Sequence, residues 1–165
     1  MKLTPMKTLL NILCLLFVLG LGLLYTRYRQ EPDWKALTDS QWRARLSPEQ
    51  YEVLRERFTE DAYSGKLLKE HRSGVYRCAG CGAQLFLSRA KFDSGTGWPS
   101  FDQPQSEKSV TYRRQNTPLA VAVEVRCARC GGHLGHVFPD GPTSTGKRYC
   151  MNSVALKFEP TASKP

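Results

Sequence analysis

Five of the six cysteines in this 165-residue chain fall in a pattern that could carry chemistry. Four of them form two Cys-x-x-Cys pairs, Cys78 with Cys81 and Cys127 with Cys130, and glycine follows each pair. Such a turn directs two sulfur atoms at a common centre, and two such turns build a closed tetrahedral zinc site. The spacing therefore predicts one structural zinc ion held by four thiolates. Two disulfides, or one redox-active dithiol pair, are the alternatives.

The fifth cysteine, Cys150, stands apart from these pairs and precedes an alternating run that ends at Phe158. On a continuous strand, Arg148, Cys150 and Asn152 would lie on one face, with about 6.5–7 Å between successive members. A guanidinium beside a thiol favours the nucleophilic thiolate, and an amide can donate to a polar substrate atom. We therefore predict that Cys150 is a nucleophile, with a buried core cysteine as the alternative.

Two histidines and one tryptophan could complete a site around that thiol. His133 and His136 lie in the glycine-rich segment 131–142. Because imidazole titrates near neutral pH, His136 is predicted to be a general acid or an orienting donor, whereas a structural role for His133 stays open. Trp98 follows Gly97 and is predicted to form the apolar wall of a small pocket, with core packing as the alternative.

Two capping boxes predict short helices ahead of these motifs. The boxes pair Thr38 with Gln41 and Ser47 with Gln50. The second helix is predicted to run from Pro48 to about Phe58 and to bury Tyr51, Leu54 and Phe58 as one stripe.

Beyond Gly65 the pattern changes to short alternating runs separated by turn-forming residues. Such a pattern is typical of antiparallel strands, so the domain is predicted to be mostly β. The clearest strands pass through Leu119, Val121, Val123 and Val125, and through Val154, Leu156 and Phe158.

The N-terminal segment predicts a membrane anchor. Residues 9–25 are apolar apart from Asn11, and as a helix they would span roughly 25 Å, close to the hydrocarbon thickness of a bilayer. No small-x-small cleavage pattern follows, so we expect residues 1–29 to be an uncleaved, single-pass transmembrane anchor. Basic residues flank both sides and leave the orientation open. Because the segment resembles an export signal, we expect the folded domain in the periplasm or another extracytoplasmic space.

The remaining chain is predicted to be organised in three parts. Residues 30–37 form a polar linker, residues 38–159 form the zinc-binding domain, and residues 160–165 form a loose tail. Ordinary composition excludes a disordered, collagen-like or coiled-coil chain.

The formal net charge is +9, and Lys2 and Lys7 account for two of these charges, which leaves +7 on the rest of the chain. A basic domain with zinc suggests a rival class of protein, a membrane-tethered zinc-ribbon module that contacts nucleic acid or anionic lipid. The basic residues, however, are scattered and form no dense run. We therefore expect a solvated basic surface and no nucleic-acid partner.

Five motifs occur in a fixed order along the chain: Cys78-x-x-Cys81, Gly97–Phe101, Cys127-x-x-Cys130, Gly132–Pro142 and Arg148–Leu156. Together they resemble the B-type peptide-methionine sulfoxide reductases, which act on the R epimer of methionine sulfoxide. The similarity extends from about Trp42 to Phe158. It implies two antiparallel β-sheets with short N-terminal helices, and an oxidoreductase that repairs oxidised proteins or peptides.

The resemblance also implies roles for individual residues. The residues implied at the catalytic site are Cys150, Arg148, Asn152, His133 and His136. Cys150 would attack the sulfoxide sulfur, assisted by Arg148, while His136 protonates or polarises the departing oxygen and a sulfenic acid forms. Trp98 and Phe138 would bind the substrate, and the four paired cysteines would hold zinc away from this site.

One position departs from the family pattern. Many members carry a resolving cysteine in the loop before Trp98, where this chain has Thr96. An internal disulfide between that position and Cys150 is therefore excluded, and we expect a thioredoxin-like protein or a small thiol to reduce the sulfenic acid directly. The anchor is a second departure, since most family members are soluble. We expect a monomer.

Overall fold

The computed structural model describes residue 9 and residues 12–17, 31–116 and 121–161, in two compact units, residues 1–33 and 34–165. In the first unit, Leu9 and residues 12–17 are helical and exposed. The rest of the predicted anchor, over 1–29, lies outside the described residues, as do residues 162–165 of the predicted tail. Within the described ranges, no helix has the length and apolar character needed to cross a membrane.

Two short helices open the second unit, α1 over Asp39–Arg43 and α2 over Pro48–Glu56. Both predicted capping boxes are present, with the side chains of Thr38 and Ser47 as N-caps. These caps satisfy backbone N–H groups that have no partner within a helix. They explain why two helices of fewer than ten residues begin where they do.

The predicted end of the second helix is wrong by about two residues. Arg57 adopts a left-handed conformation, with φ of 66°, and terminates α2. Tyr51 and Leu54 are buried as predicted, but Phe58 lies past the turn and is 60% exposed. The stripe was predicted from helical spacing, which no longer applies once the chain leaves the helix.

The described residues form nine strands. In chain order they are β1 Gly74–Cys78, β2 Gln84–Leu87, β3 Lys91–Phe92, β4 Ser100–Phe101, β5 Val110–Asn116, β6 Val121–Cys127, β7 His133–Phe138, β8 Arg148–Met151 and β9 Leu156–Pro160. One sheet has the order β2-β1-β9 and the other the order β3-β4-β8-β7-β6-β5, and neighbouring strands in both sheets pair antiparallel. The predicted mostly β fold with two antiparallel sheets is thus confirmed.

The alternating run after Arg148 is not one strand. A 3₁₀ turn over Ser153–Ala155 separates β8, in the six-stranded sheet, from β9, in the three-stranded sheet. The backbone N–H groups of Ser153 and Val154 donate to the carboxylate of Glu60 at 2.6 and 2.9 Å. Because a side chain takes these donors, they do not extend the ladder of either sheet.

Aromatic side chains form the core between the two sheets. The rings of Phe86, from β2, and Phe101, from β4, stack with centroids 4.4 Å apart. Tyr76, from β1, meets Phe101 edge-on at 4.9 Å. All three side chains are fully buried, so this cluster packs β4 of the six-stranded sheet against the three-stranded sheet.

Candidate active site

Strand pairing brings the predicted nucleophile and the predicted acid together. His136 on β7 lies directly opposite Cys150 on β8, and Ser100 on β4 lies opposite Cys150 on its other side. Directly paired residues of antiparallel strands project on the same face of a sheet. The strands approach closely at Gly135, where a Cβ atom would lie 2.1 Å from the carbonyl oxygen of Cys150. Only glycine fits at this position.

The thiol opens into a small cavity of about 160 Å³. Its lining consists of Thr59, Trp98, Gly135, His136, Phe138, Cys150 and Asn152. Five residues that the sequence predicted at the site therefore share one cavity. Arg148 and His133 are not part of the lining, but Arg148 stacks on Phe138 and His133 contacts His136.

Burial and neighbouring polar groups act on Cys150 in opposite directions. The side chain is half-buried, and desolvation raises the pKa of the thiol above its usual value. The hydroxyl of Thr96 and the charge of Arg148 lower the pKa and offset part of this effect. Because burial is the largest contribution, the resting side chain is a thiol at neutral pH.

The guanidinium of Arg148 is held in place from two sides. Nε and Nη2 donate to the two carboxylate oxygens of Asp140 at 2.9 and 2.8 Å. The guanidinium also lies over the ring of Phe138, 4.5 Å from its centroid. A bidentate ion pair and a stacked ring restrict an arginine more than either contact alone. The charge therefore stays at a constant position relative to Cys150 on the same strand.

His136 has a partner that the sequence did not indicate. Its Nε2 lies 3.1 Å from Oε1 of Gln115 on β5. An amide oxygen only accepts, so in this arrangement Nε2 carries the proton. Burial lowers the pKa of the imidazole below its usual value, which favours the neutral ring at neutral pH. Gln115 lies in a run of polar residues without a recognisable motif, so no signal in the sequence marked it.

His133 lies deeper than His136. It is 2% exposed, and its Nδ1 lies 2.9 Å from Oε1 of Glu124, which is fully buried. Among the described residues, its Nε2 has no hydrogen-bond partner. The two imidazole rings meet edge-on with centroids 5.4 Å apart. Burial lowers the pKa of His133, so both rings favour the neutral form.

Two arginines lie within ion-pair distance of the buried carboxylate of Glu124. Nε of Arg57 lies 3.4 Å and Nε of Arg126 lies 4.0 Å from Oε1 of Glu124. A carboxylate without such partners would be costly to bury. The histidine pair of the glycine-rich segment is therefore supported from behind by an acid on β6, a neighbouring strand.

Glu60 is a second residue that sequence reasoning missed. Its backbone oxygen accepts from Nε1 of Trp98 at 3.1 Å, and its backbone N–H donates to Oδ1 of Asn152 at 3.0 Å. The carboxylate accepts the two N–H groups at the turn after β8, Ser153 and Val154. Burial raises the pKa of this carboxyl group above its usual value. One loop residue thus contacts both side walls of the cavity.

Asn152 is predicted to donate a hydrogen bond to the substrate, but both ends of its side-chain amide already have partners in the protein. Its Oδ1 accepts from Glu60, and its Nδ2 donates to the carbonyl oxygen of Leu134 at 3.1 Å. One N–H of the amide remains for a ligand, since each amide nitrogen carries two protons. The side chain lines the cavity and at the same time joins β7 to the loop that contains Glu60.

The four paired cysteines form a separate, buried metal site. Their sulfur atoms all lie within 4.8 Å of one another. Sγ of Cys78 lies 3.7 Å from Sγ of Cys130, and Sγ of Cys81 lies 3.5 Å from Sγ of Cys127. A tetrahedron with Zn–S bonds of about 2.3 Å has edges of about 3.8 Å. The donor set fits one tetrahedral metal ion and excludes disulfides between these cysteines in this structure.

Tight turns direct these thiols inward, as the glycines predict. Gly82 and Gly131 have φ of 74° and 71°, a conformation that favours glycine. Their N–H groups donate to the carbonyl oxygens of Cys78 and Cys127 at 2.9 and 2.8 Å. Cys78 ends β1 of the small sheet and Cys127 ends β6 of the large one. A metal at this site would therefore join the two sheets.

The fold and site define a class of protein: a two-sheet β domain with a buried four-cysteine metal site and a separate thiol beside an imidazole in an aromatic-walled cavity. The model of the SelR domain matches residues 46–160 of this chain. Because this match covers more than half of the chain, and the relatives described next are covered over most of their length, the chain belongs to the MsrB family of peptide methionine sulfoxide reductases.

Three relatives illustrate the similarity. The chain is 58% identical over 123 residues to a peptide methionine sulfoxide reductase MsrB of Thiobacillus denitrificans, covering 74% of this chain and 93% of the relative. The protein of the same name from Bradyrhizobium diazoefficiens is also 58% identical over 123 residues, with 74% and 88% covered. That of Leifsonia xyli is 55% identical over 126 residues, with 76% and 91% covered.

Proposed function

We propose that this protein reduces the R epimer of methionine sulfoxide in oxidised proteins, with Cys150 as the nucleophile. The activity expected from the sequence, and the class of oxidoreductase, are confirmed by membership of the family. One observation supports the assignment of the nucleophile. Cys150 faces a cavity of about 160 Å³ that it shares with His136 and two aromatic side chains.

The cavity suits the end of a methionine sulfoxide side chain. Trp98 and Phe138 supply apolar ring surface for the methyl group, and His136 and Asn152 supply polar atoms for the oxygen. The Trp98 indole is fixed by its bond to the backbone of Glu60, so the apolar wall does not need to be ordered when the substrate binds.

The chemical step is an oxygen transfer between two sulfur atoms. The sulfur of Cys150 attacks the sulfoxide sulfur, and the oxygen leaves methionine and ends on Cys150 as a sulfenic acid. The proton of the resting thiol is the proton of that S–OH group. The sulfoxide sulfur gains two electrons and Cys150 loses two, so the step needs no other reactant.

His136 moves the proton in this scheme. It lies opposite Cys150 on the neighbouring strand and is neutral at rest, so it can accept the thiol proton and deliver it to the departing oxygen. His133, bonded to Glu124, supports the ring of His136 from behind. Arg148, held by Asp140, stabilises the thiolate that forms in between.

An external thiol regenerates the enzyme. Of the other five cysteines, four are clustered in the metal site and Cys14 belongs to the N-terminal segment. A first external thiol attacks the sulfenic sulfur as its thiolate and forms a mixed disulfide, and the displaced hydroxide takes up the proton of that thiol and leaves as water. A second thiol then releases Cys150 and leaves as the oxidised partner. A thioredoxin-like protein, which holds two thiols, supplies both steps.

We propose zinc as the metal of the four-cysteine site. Four thiolates at tetrahedral spacing are a donor set typical of structural zinc. When bound, zinc would supply folding free energy and no step of the reaction, because all four positions are taken by cysteine. Metal analysis of the purified protein tests this, and iron as the bound metal would contradict it.

We propose further that residues 1–29 anchor the enzyme in a membrane and that the folded domain is exported. The support is the apolar run of residues 9–25, which lacks a cleavage pattern. If so, the full chain stays with membranes after an alkaline carbonate wash, and protease added to intact spheroplasts digests the domain. Recovery of the domain in the cytosolic fraction would contradict the proposal.

The activity is tested with separate R and S epimers of a methionine sulfoxide peptide. The full chain, with dithiothreitol as reductant, should reduce only the R epimer, and Cys150→Ser should reduce neither. Melting temperatures of the two proteins serve as the control for folding. Equal activity in the variant would exclude Cys150 as the nucleophile, and absence of turnover by the folded, metal-bound chain would exclude the proposed function.

A further inference from the structure

Three hydroxyl side chains form a continuous hydrogen-bonded chain that ends at the sulfur of Cys150. Oγ1 of Thr96 lies 3.8 Å from Sγ of Cys150 and 2.8 Å from Oγ of Ser94. Oγ of Ser94 lies 2.7 Å from Oγ of Ser100. Ser100 donates to the carbonyl oxygen of Trp98 at 3.2 Å. The chain therefore runs from a thiol to a carbonyl group that can only accept.

The backbone holds this chain in place. Ser100 is fully buried on β4, directly opposite Cys150. Thr96 follows Gly95, whose N–H donates to the side chain of Asp93 at 2.9 Å. The carbonyl oxygen of Gly95 accepts from the hydroxyl of Tyr63 at 2.7 Å. The loop that presents Thr96 is thus tied to its surroundings at the preceding residue.

The number of protons on these three hydroxyl groups decides in which direction each can donate a hydrogen bond. Each hydroxyl carries one proton, and that of Ser100 goes to the carbonyl of Trp98. When Cys150 is a thiol, its proton can go to Thr96, while Thr96 and Ser94 donate toward Ser100. When Cys150 is a thiolate, Thr96 can turn its proton to the sulfur, and Ser94 still donates to a neighbour. Both states satisfy every hydroxyl.

We propose that Thr96 donates a hydrogen bond to the Cys150 thiolate, and that Ser94 and Ser100 orient the Thr96 hydroxyl for this purpose. The inference rests on the proposed role of Cys150 as nucleophile. Thr96 touches the reacting sulfur and is a catalytic residue in that sense, whereas Ser94 is a positioning residue. Ser100, opposite Cys150 on β4, both extends the row of hydroxyls and lowers the pKa of the thiol directly. The residue that replaces a resolving cysteine in this chain thereby contributes to the attack itself.

Other groups around Cys150 define the background against which this contribution is measured. Arg148 on the same strand favours the thiolate, and its charge is opposed by Asp140. His136 faces Cys150 from β7 and favours the neutral form, so it adds little charge. Burial favours the thiol, and the hydroxyl of Ser100 on β4 lowers the pKa of the thiol. None of these groups is altered by a substitution at Thr96.

The test is the pH dependence of Cys150 alkylation in the full-length, metal-bound protein without any sulfoxide present. Iodoacetamide modification is followed by mass spectrometry on the tryptic peptide 149–157, which reports Cys150 alone. Thr96→Val removes the hydroxyl at nearly constant volume. We expect the midpoint of the profile to rise by about one pH unit, and alkylation below the midpoint to slow roughly tenfold.

Three further variants separate the hydroxyl from other causes. Thr96→Ser keeps the hydroxyl and should restore the midpoint of the unaltered protein. Ser94→Ala interrupts the chain and should shift the midpoint upward by less than Thr96→Val. Thr111→Val, at an exposed position of β5, should leave it unchanged. The inference is overturned if Thr96→Val leaves the midpoint in place, or if Thr96→Ser shifts it equally.

This result and the proposed function can fail separately. A shifted midpoint in a protein that does not reduce the R epimer would retain the hydrogen bond and exclude the activity. Reduction of the R epimer with an unshifted midpoint would retain the activity and exclude the donor role of Thr96.

Discussion

Cys150 and His136 are both shifted toward their uncharged forms by burial in the same cavity wall. Desolvation raises the pKa of the thiol and lowers that of the imidazole. The resting pair is therefore a thiol beside a neutral ring and not an ion pair. Because the proposed reaction moves the thiol proton to the sulfoxide oxygen, a neutral resting pair holds the one proton that this step requires.

The bond between His136 and Gln115 leads to a prediction about the pH profile. Gln115→Glu places a carboxylate beside Nε2 of His136. The carboxylate favours the imidazolium and therefore raises the pKa of this ring. If His136 delivers the proton, one limb of the pH profile of kcat reflects deprotonation of its imidazolium. That limb should move about one unit to higher pH. Steady-state rates with the R epimer between pH 5 and pH 9 measure it.

Gln103→Glu is the matched control, since it adds the same charge at an exposed position. It should leave the profile of kcat unchanged. A profile for Gln115→Glu that coincides with that of the unaltered protein would show that His136 does not titrate in the rate-limiting step.

At the scale of elements, the segment that follows α2 completes the cavity. Arg57 ends the helix in a left-handed conformation, and the chain then passes Glu60 beside the turn between β8 and β9. Glu60 contacts Trp98 and Asn152 through its backbone, and the turn through its carboxylate. The position of both cavity walls therefore depends on one loop that is attached to the end of β8, the strand that contains Cys150.

Removing the Glu60 side chain should loosen this attachment. Glu60→Ala leaves the N–H groups of Ser153 and Val154 without their acceptor, which costs about 1–3 kcal/mol of stability. Because the loop also positions Trp98, KM for the R epimer should rise severalfold, more than kcat falls. Denaturant unfolding and steady-state kinetics measure the two effects.

Glu107→Ala removes an exposed carboxylate and provides the comparison. It should alter neither stability nor KM. If Glu60→Ala behaves in the same way as Glu107→Ala, the loop is held by its backbone contacts alone.

At the scale of the whole domain, the four-cysteine site connects the two sheets at the ends of β1 and β6. Metal binding to such sites contributes on the order of 10 kcal/mol, comparable to the whole stability of a domain of this size. The aromatic core between the sheets supplies the other connection. Cys150, the proposed nucleophile, is not one of the four clustered cysteines, so the metal site and the proposed reaction are coupled only through the fold.

Loss of the metal should therefore abolish folding and activity together. We expect Cys127→Ser, or treatment with a strong chelator, to lower the melting temperature sharply and to reduce activity in proportion to the folded fraction. Cys150→Ser should do the opposite, keeping the metal and the melting temperature while abolishing activity. Calorimetry with metal analysis measures both, and a fully stable, metal-free Cys127→Ser protein would contradict this account.

The sequence by itself determined the features that depend on short spacing. The capping boxes at Thr38 and Ser47 and the Cys-x-x-Cys turns each involve residues at most three positions apart, so local geometry was enough to predict them. The same holds for the alternation at Val121, Val123 and Val125 on β6 and at Leu156 and Phe158 on β9. Of the other residues predicted in these strands, Val154 lies in the 3₁₀ turn before β9, and Leu119 lies outside the described residues. The motifs around Trp98, His136 and Cys150 also sufficed to predict the family.

Only the tertiary structure decided which distant residues support those motifs. Strand register brings Gln115 to His136 and Glu124 to His133. A loop contact brings Glu60 to Asn152, which lies 92 positions further along the chain. The break between β8 and β9 and the chain of hydroxyls ending at Thr96 depend on the same long-range pairing. Polar residues of this kind look like any solvated side chain in a sequence, because their role comes from the partner that folding brings to them.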